Sequence, residues 1–128
     1  MDDIPEDLLG FLQTTIGSIW ALELMLTLRR QPLAAWTAAA LTAEMRANLQ
    51  LVSDILHRFE RSGLVTAAEP GHWIWRAASP ELDRLADAAA DAYARTPLRV
   101  TRAIADSYNR RIQQFADAFK LRPDKEPG

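Results

Sequence analysis

The sequence predicts a mainly α fold carrying one small β-hairpin, on three observations. Val52, Ile55, Leu56 and Phe59 fall at the i, i+3, i+4, i+7 spacing that lines one face of a helix. That run stops at Gly63, a residue that takes a left-handed helix C-terminus without a Cβ penalty. Two short alternating segments follow, around residues 64–66 and 72–76, joined by Glu69-Pro70-Gly71-His72, which has Pro and Gly where a type II turn favours them. Apolar-periodic runs flank this centre on both sides.

Composition bounds the function before any motif does. A chain of 128 residues, 48% hydrophobic and 25% charged, is long enough to bury a core and has the balance of an ordinary globular domain. The formal net charge of −2 gives no overall attraction to nucleic acid or anionic membrane, so any such binding must come from charge arranged locally. The absence of cysteine excludes disulfides, thiolate catalysis and cysteine-ligated metal centres, and agrees with a reducing, cytoplasmic setting. The first residues are acidic where a secretory signal is positive.

Residues 11–28 predict one helix, with Leu8, Leu12, Ile16, Ile19 and Leu26 on one stripe and Trp20, Leu24 and Leu28 on another. Its length approaches a membrane span, but Gln13, Glu23 and three threonines argue against a bilayer, and no membrane partner is expected. Gly10 and Gly17 share a face on which another backbone could approach, or Gly10 marks a loop. Arg29, Arg30 and Pro32 close the helix. Residues 33–36 predict a short strand, and Thr37 caps a second helix whose alanines permit close packing, with Leu41 and Met45 as anchors.

Asn48 caps the central helix. Its polar face gathers Gln50, Ser53, Asp54, His57 and Arg61, with Arg46 just before the cap. In the hairpin, Trp73 and Trp75 point to one side and Ile74 to the other. Ser79-Pro80-Glu81 opens another helix, acidic at Glu81, Asp83, Asp87 and Asp91, which runs to about residue 93. After Thr96-Pro97 the last helix, about 98–119, shows Ile104, Tyr108, Ile112, Phe115 and Phe119 at intervals of three and four. Arg95, Arg99 and Arg102 line another side, and residues 123–128 predict a disordered tail.

The order helix, turn, helix, glycine stop, hairpin defines a winged helix-turn-helix. Residues 37–45 (TAAALTAEM), the turn at Arg46-Ala47, the helix from Asn48 to Arg61, and then Ser62-Gly63-Leu64-Val65 resemble the corresponding run of bacterial MarR-like winged-helix regulators. The resemblance implies a second helix that enters the DNA major groove and a wing on the adjacent backbone. It places a core at residues 15–78 and C-terminal helices at 79–121, within one domain over 1–122.

The residues themselves agree in part. Gln50, Ser53, His57 and Arg61 can hydrogen-bond base edges, Arg58 and Arg76 are available for phosphates, and Arg46, Asn48 and His72 complete the expected DNA-binding set. From Glu44 to Arg76, four positive and four negative charges leave this head neutral, and Asp54 sits in the middle of the face. A protein-binding winged helix is therefore the competing expectation. No phosphate loop, nucleophile elbow or metal-ligand spacing is present, so neither an enzyme nor a cofactor nor a metal is expected. A first helix that is apolar on two faces and an uncovered final stripe predict a homodimer through Leu12, Ile16, Ile104, Tyr108, Ile112, Phe115 and Phe119.

Overall fold

The computed structural model describes residues 3–120, with side chains described to Ala118. The chain is mainly helical, with one two-stranded antiparallel sheet among the described residues. A helical arm begins as α1 (Glu6–Gly10) and continues through the π-helical segment Phe11–Ile16. After it come α2 (Ile19–Arg30), α3 (Ala38–Met45) and α4 (Leu49–Ser62). The hairpin β1 (Val65–Glu69) and β2 (His72–Trp75) then leads into α5 (Pro80–Arg95) and α6 (Pro97–Lys120).

The first helix is two, a correction to the single helix expected over 11–28. Gly17 adopts φ 79°, a left-handed conformation only glycine takes cheaply. Its N–H reaches back to the Leu12 carbonyl at 2.9 Å, and the arm ends there. The Ser18 hydroxyl then accepts the Ala21 N–H at 3.1 Å, capping α2. The two segments meet at 98°. Gly10 stays helical and faces open space, so it does not mark a loop. Among the described residues no single helix is long and apolar enough to cross a membrane.

The bend also brings most of the two apolar stripes into one core, while Trp20 stays 44% exposed. Leu12 and Ile16 on the arm, and Leu24 and Leu28 on α2, are all fully buried within one core. α2 backs α3 and β2, α3 packs on α4, and β1 packs on α4. The arm lies against α5 and α6. Val52, Ile55, Leu56 and Phe59 fill the core side of α4, as their spacing predicts. Leu12, Ile16 and Ile104 belong to the same interior, which corrects their expected place in a dimer contact: they present no surface to a partner.

The local start and stop signals hold at the atomic level. Thr37, Asn48 and Ser79 each accept the N–H three residues on, at 3.0, 3.0 and 3.1 Å. Gly63 ends α4 at φ 83°, and Gly71 takes φ 82° in the hairpin turn. Trp73 and Trp75 pair with Ala67 and Val65 and point into the core, while Ile74 is half-buried on the other side. The strand expected at 33–36 reduces to a single bridge in which Trp36 and Trp73 exchange N–H···O bonds of 2.9 and 2.8 Å. Pro32 offers no N–H, and a turn from Gln31 to Ala34 precedes the bridge. Helix α5 extends two residues beyond the expected end at 93. The expected tail at 123–128 lies outside the described residues.

Candidate functional site

The outer face of α4 presents an exposed array of hydrogen-bonding side chains on a helix anchored in the core. Helix α3 ends at Arg46, whose φ of 55° makes it the one non-glycine residue with positive φ among the described residues. The left-handed turn there lets the chain re-enter helix at Leu49, three residues on, with Asn48 as cap. Arg46 therefore belongs to the turn, exposed beside the start of α4.

Along α4, Gln50, Asp54, His57 and Arg61 are exposed and Ser53 is half-buried. They are not equally free. Gln50 Nε2 donates to Asp54 Oδ1 at 2.9 Å, so one amide donor is already engaged. His57 Nδ1 lies 2.8 Å from the Ser53 carbonyl, and its ring stands edge-on to Trp73, centroids 5.3 Å apart at 78°. The imidazole thus rests on the hairpin with Nε2 as its remaining polar atom. Arg61, a turn later, has an exposed guanidinium. His72 Nδ1 lies 3.4 Å from the Pro70 carbonyl in the hairpin turn, and Arg76 is exposed just beyond β2. Leu49, 55% exposed, adds an apolar group at the start of the helix that the polar pattern did not single out.

Arg58 departs from expectation. Its Nη2 donates to the carbonyls of Thr14, Thr15 and Ile16, at 3.5, 3.1 and 3.2 Å. These are the last carbonyls of the arm, which the helix leaves unpaired and which carry its negative end. The guanidinium caps a helix C-terminus; it is not turned outward to phosphate, a correction to its expected role.

The other charged groups mainly stitch helices together. Arg84 holds Asp7 at 2.7 Å and Glu81 at 2.6 Å, and these hydrogen bonds keep both carboxyls below the usual carboxylate range and raise the guanidinium. Arg95 pairs with Asp91 and Arg99 with Asp3, so two cations of the basic stripe meet acids of their own chain. The Tyr93 hydroxyl donates to Glu23 Oε2 at 2.9 Å; that bond and burial push the phenol up. Arg29 pairs with Asp87 and lies 5.9 Å from the Trp75 ring centroid. Both hairpin tryptophans are core residues. Among the described residues no three His, Asp or Glu side chains converge as a metal site would require.

On α6, Val100 and Ile104 are buried, but the stripe continues outward: Tyr108, Ile112 and Phe115 are 57%, 52% and 67% exposed. The side chain of Phe119 lies outside the described residues. No family model, characterised protein or solved structure matches the chain.

Proposed function

We propose that this chain is a winged helix-turn-helix DNA-binding regulator of the MarR-like kind, acting as a homodimer with α4 in the major groove and the hairpin as its wing. The observation that carries this reading is the division of α4. One side is anchored in the core by Val52, Ile55, Leu56 and Phe59, while Gln50, His57 and Arg61 stand on the other at helical spacing. A helix fixed on one side and carrying amide, imidazole and guanidinium groups on the other is what base-edge recognition requires. With Arg58 committed inside the chain, Arg46 and Arg76 remain for phosphates. Two such cations per subunit, beside Asp54, Glu60 and Glu69, make paired half-sites necessary for useful affinity.

The pairing surface is the outer stripe of α6. Residues 110–115 are exposed on every side of the helix, Ile112 and Phe115 by more than half. An antiparallel α6–α6 pair sets Ile112 opposite Phe115 and Arg110 opposite Asp117, which satisfies the apolar stripe and the charges together.

The test is substitution on the face. Gln50→Ala or Arg61→Ala is expected to cost about 1–3 kcal/mol on the preferred sequence and much less on unrelated DNA, because base contacts discriminate and phosphate contacts do not. Asp54→Asn removes a charge that repels phosphate and is expected to raise affinity for all sequences. Equal losses on every duplex would refute the assignment.

A second reading, a winged helix that docks on another protein, is favoured by the Gln50–Asp54 hydrogen bond and the exposed Leu49. These make the face more neutral and more apolar than phosphate contact demands. Under that reading, Asp54→Asn leaves DNA affinity unchanged.

A further inference from the structure

The DNA-binding reading leaves Arg58 without a task at the DNA, yet this side chain occupies a mechanical junction. We infer that Arg58 is a positioning residue: through the arm it fixes α4 relative to α6, and so sets the spacing at which a dimer's two reading helices meet DNA. The inference rests on the function proposed above for its DNA consequence, but not for its mechanical one.

The junction is built from three connections. At one end, the Arg58 guanidinium reaches the carbonyls of Thr14, Thr15 and Ile16, binding α4 to the end of the arm. At the other, Gln13 Nε2 donates to the Ala103 carbonyl at 3.0 Å, and Asp3 pairs with Arg99, tying the same arm to α6. Leu12 and Ile16 of the arm and Val100 and Ile104 of α6 are buried in one core. The principal packing of α6 is on the arm and α5, whereas that of α4 is on α3 and β1. The arm is thus a shared neighbour through which displacement of one helix reaches the other.

Gly17 shows how closely the junction is fitted. A Cβ there would come 3.0 Å from Arg58 Nη2, on a backbone at φ 79°. The absent side chain gives the guanidinium its place over the break, where the chain turns by 98°. A segment whose i→i+5 hydrogen bonds run from residue 11 to 16 is a less favourable helix than an α-helix, and long stretches of it are rare. The cation at its C-terminal carbonyls stabilises the carbonyl end that a free helix terminus would leave to water. Loss of the guanidinium frees the arm's end from α4 while its hold on α6 persists.

Arg58→Met, which keeps an apolar stem and removes the cation, separates positioning from contact. The chain contains no cysteine, so Glu60→Cys on α4 and Ala105→Cys on α6, both exposed, can carry spin labels without background. Labelled protein diluted with excess unlabelled chain is expected to give a narrow α4–α6 distance distribution, which broadens in Arg58→Met and broadens less in Arg58→Lys. An unchanged distribution in Arg58→Met overturns the inference, whether or not the protein binds DNA. If Arg58→Met does not fold, Arg58→Lys carries the same test, and a width equal to that of the unmodified chain refutes it.

The DNA arm uses a duplex selected from a random-sequence pool by the unmodified protein, with one to three base pairs inserted between half-sites. The unmodified protein should discriminate sharply among spacings, and Arg58→Met should lose that discrimination while its dependence of affinity on salt keeps the same slope. A slope reduced by about two, one for each subunit, with the spacing preference intact, would mean that Arg58 contacts a phosphate and would overturn the inference. Failure of the unmodified protein to bind any duplex counts against the DNA reading alone, because the distance distributions still decide the mechanical claim.

Discussion

Phe59→Ala is expected to destabilise the protein by about 3–5 kcal/mol, the range for deleting a buried aromatic ring. Phe59 is fully buried on α4 and shares the core with Leu56, Leu64 and the hairpin tryptophans. The site has little room to collapse, because the backbone around it is already committed. The Phe59 carbonyl accepts the Leu64 N–H at 2.8 Å in the turn that ends α4, so the ring and the start of the hairpin are fixed together. A domain of this size is typically stable by about 5–15 kcal/mol, so the substitution removes a large share of the total. Urea unfolding monitored by the tryptophan fluorescence should show the midpoint fall sharply. A loss below about 1 kcal/mol would mean that the α4–hairpin junction is not packed as described.

Replacing Ile112 and Phe115 together by Glu is expected to give a monomer that keeps its fold. Both side chains are more than half exposed, so two carboxylates there cost the single subunit little. In an antiparallel α6 pair the same change places four carboxylates across one apolar seam, where each must be desolvated beside its neighbours. Loss of pairing converts bivalent attachment into two separate binding events, and affinity for a paired site should drop by about 10²–10⁴-fold. Sedimentation checks the assembly and a gel shift checks the affinity. A dimer that survives both substitutions would move the interface elsewhere, and a monomeric unmodified protein at micromolar concentration would remove it.

Local signals made much of the centre legible. Asn48, Gly63, Gly71 and the Ser79-Pro80 pair each dictate backbone geometry through their own side chain, or lack of one, and each does so in the structure. The break at Gly17 was obscured because apolar residues continue on both sides of it, and periodicity alone does not register a change of direction. A signal was present: glycine followed by serine is a left-handed stop followed by an N-cap. Once the break is missed, one helix with two apolar faces demands a partner, and Leu12 and Ile16 are assigned to it.

The division of the α6 stripe was equally hidden. Ile104 and Ile112 have the same chemistry at the same helical spacing, yet the first is buried in the core where the arm and α5 pack on α6 and the second is exposed. Arg58 failed for a related reason. Its charge and helix face are readable from sequence, but the carbonyls it caps lie more than forty residues away in the chain. Long side chains are read from sequence by where they start, and their roles are set by where they end.

The central claim, that α4 and the hairpin bind DNA, is tested most directly by measuring affinity for duplex DNA across a range of salt concentrations. With Arg46 and Arg76 of two subunits near phosphates, the logarithm of affinity should fall linearly with the logarithm of salt, with a slope corresponding to about four neutralised phosphates. The slope should halve in the Ile112→Glu, Phe115→Glu protein. No binding to duplex DNA at low salt, by a protein that is folded and dimeric, would contradict the account.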